Sequence, residues 1–154
     1  MVIEINKSPN GDSRTAKGNV SFEEFQRSTD MHREDVKNMC YMLADMMRKA
    51  GDEHDWTKKE KEVEFYEDFT TKKGKPFMNA KWYQYHIHNE RHHLNSYVHP
   101  DVNLIDVLEM IADCCCAGMA RSGKVREIEI DPDVLMKAFK NTCDMVEDSI
   151  HLND

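Results

Sequence analysis

Apolar positions recur at three- and four-residue intervals over most of this chain, the period of helices that bury one face. Val36, Met39, Cys40, Leu43 and Met47 form one such stripe. Ser28, Thr29 and Asp30 offer N-caps ahead of it and Gly51 a C-cap, so a helix is predicted over about residues 30–50 with His32 on its inward face. Phe65, Tyr66 and Phe69 mark a second helix, about 57–71, closed by Lys72-Lys73-Gly74-Lys75-Pro76. Trp82, His86, Asn89 and His93 share one face of a third, about 79–97, which His99-Pro100 ends. Asn103 caps a fourth helix. There Leu104, Leu108, Ile111 and Cys115 form the inward stripe beside a polar one of Asp106, Glu109 and Asp113, and Ser122-Gly123 stops it. After an extended piece at Val125–Ile130, Asp131 as N-cap and Pro132 at the first helical position open a fifth helix, with Leu135, Phe139, Thr142, Met145 and Val146 inward.

These five helices predict an all-α fold, a single-domain helical bundle over residues 28–154. Residues 1–27 contain Ser-Pro-Asn-Gly-Asp-Ser and little periodicity after Ile5. They are read as an N-terminal arm, partly flexible, with one short strand at Val2–Ile5.

Composition narrows the function classes. The length of 154 residues suits one domain that buries roughly two-thirds of its unfolded surface. With 40% hydrophobic and 32% charged residues the chain is too apolar for global disorder. Twenty-one Lys and Arg against 29 Asp and Glu give a net charge of -8, which opposes general nucleic-acid binding. A bound cation can still reverse the local field for a small phosphorylated ligand. No apolar run approaches the roughly 18–20 residues of a membrane span, and Met1–Asn10 lacks the order of a signal peptide. No membrane association and a cytoplasmic location are therefore expected. Five cysteines do not read as a disulfide framework, and the three consecutive ones, Cys114, Cys115 and Cys116, read as small core and interhelix residues. The unusual quantity is histidine: of eight, seven lie between His32 and His99.

Three constellations carry candidate chemistry. His54-Asp55, with Lys58 three positions on, opens the second helix, where adjacent imidazole and carboxylate can meet one cation; the plain alternative is an exposed helix start with Asp55 facing the dipole. His86-Ile-His-Asn-Glu-Arg-His-His93 places four histidines in eight residues. His86, His92 and His93 read as ligands and His88 as part of a solvated face. A straight helix separates His92 from His93 by about 100°, so both can ligate only where the helix bends or ends. Asp113 sits on an otherwise apolar helix, where a carboxylate requires a partner, either a metal or a salt bridge.

Taken in order, His32, His54-Asp55 with Lys58, His86, His92-His93 and Ala112-Asp113 resemble the signature of the HD superfamily of metal-dependent phosphohydrolases. The His-Asp-x-x-Lys form and the later histidines are similar to its HD-GYP branch without the Gly-Tyr-Pro signature, so cyclic dinucleotide hydrolysis is not implied. Trp82, His86, His92-His93, Glu109-Met110 through Asp113, and Gly118 also resemble small HD-like bacteriophage proteins, which would place the chain in a host cytoplasm. The resemblance implies an HD-like helical domain. It also implies one metal on His32, His54, Asp55 and Asp113, with Asp55 bridging to a second on His86, His92 and His93.

Imidazoles and carboxylates suit one or two divalent transition metal ions, Zn, Mn, Fe, Ni or Co. Such ions lower the pKa of bound water from about 15.7 towards 7 and clamp attacking and leaving oxygens. The expected function is a metal-dependent phosphohydrolase with a mono- or binuclear site, acting on a small phosphorylated substrate such as a nucleotide. Asp55 and Lys58 are its catalytic candidates, Lys58 contacting phosphate unless it is simply solvated. Arg91 and Arg121 are further phosphate candidates. An HD-type di-iron oxygenase and a non-catalytic metal- or nucleotide-binding phage accessory protein are the competing readings, and assembly into a homo-oligomer stays open.

Overall fold

A computed structural model of the chain describes residues 2–153 and is all-α, with one small parallel strand pair. In order come β1 (Ile3–Asn6), a 3-10 turn at Pro9–Gly11, α1 (Phe22–Glu53), α2 (Trp56–Glu60), α3 (Glu62–Thr71), α4 (Lys75–Met78), α5 (Lys81–Asn89), α6 (Leu104–Ser122), α7 (Pro132–Asp148) and β2 (Ile150–Asn153). The residues form two compact units. One takes the chain up to Met46 and again from Cys143; the other is the continuous stretch Met47–Thr142.

In the first unit, β1 pairs in parallel with β2, Ile3 opposite Ile150 and Asn6 opposite Asn153. The N-terminal segment thus ends in a ladder with a strand that the periodicity does not announce. Helix α1 begins eight residues before the predicted start at about residue 30 because Ser21 accepts the Glu24 N–H (3.2 Å), a serine cap with Glu three positions later. Ser28, expected as a cap, is buried inside the helix, and His32 is exposed rather than inward.

The second unit has its core in Leu94, Val102, Val107, Met110 and Ala138, with Val98, Leu104, Ile128, Ile130 and Val134 against it. The start of α6 follows the predicted chemistry. Asn103 Oδ1 accepts from Ile105 N–H (2.9 Å), and Asp106 returns the bond to the Asn103 N–H (2.9 Å), closing a capping box. Gly123, at φ 71°, ends the helix in the left-handed region. The buried face of α6 differs from expectation. Leu108 and Ile111 are exposed while Asp106 and Glu109 are buried, because the polar stripe finds partners inside and so turns inward. The three consecutive cysteines lie outside the core, and all five thiols are free.

On α7 the inward stripe is displaced by one residue. Val134 and Ala138 face the core, while Leu135 and Phe139 are exposed. Polar locks set this rotation: Asn141 donates to the Val102 carbonyl (2.8 Å), and Thr142 Oγ1 accepts the Leu104 N–H (2.8 Å). The predicted second helix divides at Lys61 into α2 and α3, and the predicted third ends at Asn89, well before residue 97.

Candidate metal centre

Two interruptions of regular structure and one face of α6 assemble the site. His54-Asp55 is the turn between α1 and α2, and Asp55 holds φ 58°, ψ 27°, a left-handed conformation that aspartate tolerates better than most residues. Asp55 stands at the N-cap position of α2, yet its side chain caps nothing. It is thereby released for other work. Helix α5 stops because Glu90 turns extended at φ -92°, ψ 118°, so His92 and His93 follow in a turn. Leaving the helix frees the two imidazoles from the fixed 100° offset. From α6, Glu109 and Asp113 lie four residues apart on one face.

Two groups of three ligand atoms result, each with all atoms within 4.8 Å of one another: His54, His92 and Asp113, and Asp55, His86 and His93. Asp55 joins them. Its Oδ2 lies 3.4 Å from His54 Nε2, and its Oδ1 lies 3.6 Å from His86 Nε2 and 3.8 Å from His92 Nε2. His54 Nε2 is 3.7 Å from Asp113 Oδ1, and His86 and His93 face each other with Nε2 atoms 2.8 Å apart.

A second layer sets the tautomers. Glu109 Oε1 is 2.9 Å from Nδ1 of both His54 and His92, the His92 approach lacking hydrogen-bond alignment. A carboxylate oxygen can only accept, so His54 Nδ1 carries the proton and its Nε2 points into the site, and His92 turns its Nε2 towards Asp55 as well. Behind His86, Thr57 uses its hydroxyl proton on Glu90 Oε1 (2.5 Å), which also accepts the Thr57 N–H (2.9 Å). Thr57 Oγ1, 2.6 Å from His86 Nδ1, must therefore accept from it, which leaves His86 Nε2 as an acceptor facing His93 Nε2. Trp82, stacked on the His86 ring at 4.9 Å, fixes the plane.

Electrostatics separates the groups. Burial holds His86 down to about 3 and His93 down to about 4, with the charges of His93 on His86 and of His92 on His93 acting in the same sense. Burial also opposes charge on His92, but the Glu109 carboxylate, with Asp55 and Asp113, outweighs it and raises its pKa. Burial pushes the Asp55 and Glu109 carboxyls up, while Lys58 beside Asp55 and the histidines beside Glu109 bring both below their ordinary values. Asp55 Oδ1 and His92 Nε2 are buried without any hydrogen bond. Each such atom costs about 1–3 kcal/mol, a cost that a cation between them would remove. The donor set and these two orphaned atoms fit a metal ion.

The site thus draws together His54, Asp55, His86, His92, His93 and Asp113, with Lys58 hydrogen-bonded to Asp55. His92 groups with His54 and Asp113 rather than with His86 and His93. His32 belongs to the other unit and to neither group. Arg91 is already committed, bidentate to Asp106 (2.8 and 2.9 Å) and bonded to Asp101 (3.1 Å), so it is a staple of the fold rather than a phosphate contact. His88 is exposed, with Nδ1 on the Gln84 carbonyl (2.7 Å). Sequence reasoning missed Glu109, Thr57 and Glu90 as site residues. The four-residue spacing of Glu109 and Asp113 was the available signal for the first; the others carry none.

No curated protein and no solved structure matches the chain. A family model described as a family of unknown function (DUF5662) matches residues 21–151, which include every residue of the two ligand groups. The chain belongs to that family, DUF5662.

Proposed function

We propose that the chain is a metal-dependent phosphohydrolase acting on a nucleotide or related phosphate ester, with one or two divalent transition metal ions on His54, Asp55, His86, His92, His93 and Asp113. The observation that carries this reading is the position of Asp55, whose two oxygens approach both ligand groups while one stays buried without a hydrogen bond. A carboxylate spanning two adjacent sets of imidazoles is the arrangement that a binuclear centre requires. Metal bound there supplies Lewis acidity and an acidified water, the needs of an ester hydrolysis in which water adds to phosphorus and the bond to the alcohol oxygen breaks.

The chain's own residues do the rest. Glu109 and the Thr57–Glu90 pair hold the imidazoles in the tautomers that face inward. Lys58 provides an ammonium beside Asp55, placed for a phosphate oxygen once Asp55 is engaged elsewhere. The resemblance to the HD superfamily points the same way.

Elemental analysis of the purified chain, with phosphate release from a panel of nucleotides and simple phosphate esters, tests the proposal. One or two transition metal ions per chain and ester hydrolysis are expected. Lys58→Met should keep the metal and slow turnover by roughly one to three orders of magnitude. A chain that binds no metal, or an iron-loaded chain that consumes oxygen and releases no phosphate, would overturn it.

A further inference from the structure

Beside the ligand groups, α6 and the segment after it line a cavity of about 310 Å³ that is open to solvent, with Asp113, Ala117, Gly118, Arg121, Ser122 and Arg126 among its walls. Asp113 is shared, being one wall of the cavity and a member of the first ligand group. The volume is at the lower end of the range, about 300–1,000 Å³, in which pockets enclose small molecules.

Arg121 and Arg126 both line it, Arg121 eight residues along α6 from Asp113. Among the described residues neither the Arg121 nor the Arg126 side chain has an ion pair or hydrogen bond, a state they share with Arg27, whereas Arg14, Arg33 and Arg91 are paired with carboxylates. Arg121 alone would be ordinary, since the last turn of a helix favours a cation. Arg126 is not on a helix, and its position depends on a close approach. A Cβ on Gly118 would lie 2.9 Å from the Lys124 carbonyl oxygen and 3.2 Å from Val125 Cα, so only glycine lets residues 124–126 lie directly on α6. Ser122 ties the turn down, with Oγ on the carbonyls of Gly118 (3.0 Å) and Lys124 (3.2 Å). The fold thus brings a second unpaired arginine to the cavity in a chain of net charge -8.

We infer that this cavity binds the part of the substrate remote from the reacting phosphate, and that this part carries a second anionic group held by Arg121 and Arg126. The inference rests on the phosphohydrolase reading for the reacting phosphate at the Asp113 end. The eight residues from Asp113 to Arg121 rise about 12 Å along the helix, a span that, shortened by the reach of the arginines, suits a bisphosphate or phosphate-carboxylate of small organic size. Ala117 and Gly118 give the middle of the ligand an apolar floor, and Ser122 and Glu127 offer hydrogen bonds.

Alkylene bisphosphonates of increasing length test this, because their carbon–phosphorus bonds resist hydrolysis and binding can be read without turnover. Calorimetry on the full metal-loaded chain should show one intermediate length binding at least about tenfold tighter than methylphosphonate, the gain of a charge-assisted pair. The double substitution of Arg121→Gln and Arg126→Gln should remove that advantage and leave metal content, methylphosphonate affinity and thermal midpoint unchanged. A flat length dependence, or an advantage that survives the double substitution, overturns the inference even if esters are hydrolysed. An arginine-dependent advantage in a chain that hydrolyses no ester leaves the anion cavity standing and removes the hydrolase reading alone.

Discussion

Behind His54 and His92 stands a carboxylate, Glu109, facing an Nδ1 of each; behind His86 stands a hydroxyl, Thr57, whose own proton goes to Glu90. A negative charge directly on an imidazole N–H makes the ring more basic, and the His92 pKa rises despite burial. A neutral hydroxyl orients without supplying that charge, and burial, with His93 acting in the same sense, holds His86 down to about 3. Identical side chains are thus made into unlike donors by the layer behind them. The first group is expected to hold an ion more tightly at neutral pH.

The largest break in this comparison is one that abolishes both sides. Asp55→Ala removes the carboxylate between the groups and should strip most of the metal and cost roughly three orders of magnitude in ester hydrolysis, measured by elemental analysis and phosphate release. Retention of full metal content would show that the groups bind independently. Next, Glu109→Gln keeps the shape but not the charge, and should weaken one ion and spare the other. A drop of about 10–100-fold in affinity for a single ion, read by competition with a chromogenic chelator, is expected. Equal weakening of both ions would end the distinction.

Smaller still is Thr57→Val, which takes away the acceptor that sets the His86 tautomer together with the hydroxyl that donates to Glu90. Up to about a tenfold loss is expected, on the ion opposite to the one that Glu109→Gln weakens, with recovery in Thr57→Ser. His88→Ala, outside both groups, should change neither ion and serves as the control.

Acidification of the chelator-treated chain sharpens the contrast without any substitution. His92 is raised above its ordinary 6.5, so its ion pair with Glu109 stabilises the fold fully below pH 6.5 and is lost as pH rises through the folded value. His86 and His93 are lowered to about 3 and about 4, so their neutral burial stabilises above pH 6.5 and is lost as pH falls towards those values. Imidazole resonances should therefore show His92 charging first, with His86 and His93 still neutral at pH 5. The reverse order would invert the comparison.

Much of the candidate grouping was legible before folding, His32 excepted, because its members are rare residue types at close spacing. His54-Asp55, the His86–His93 run and Asp113 all identify themselves, and even the requirement that the helix end before His92 and His93 follows from the angle between consecutive residues. The layer behind them was not legible. Glu109 and Asp106 form a polar stripe that looks like a solvated face, and the pattern cannot reveal that histidines and Arg91 wait inside to receive it. Thr57 and Glu90 are 33 residues apart and individually commonplace, so their bond leaves no trace in the chain. The all-α class was legible from periodicity. The rotation of α7 was not, since Val134 and Ala138 compete with Leu135 and Phe139 and only the Asn141 and Thr142 bonds decide between them.

The strand pair at the chain ends bears on the order of folding. Asn6 and Asn153 are 147 residues apart, and closing a loop of that size costs about 4 kcal/mol beyond the fixed term. The unit that carries the ligands is one uninterrupted stretch, Met47–Thr142, and needs no such closure. During synthesis it can collapse while the last strand is still unmade, whereas β1 must wait for Ile150–Asn153 to emerge. The unit with the candidate ligand groups is thus built from one continuous stretch, whereas the β1–β2 ladder closes over 147 residues, the kind of distant pairing that forms slowly.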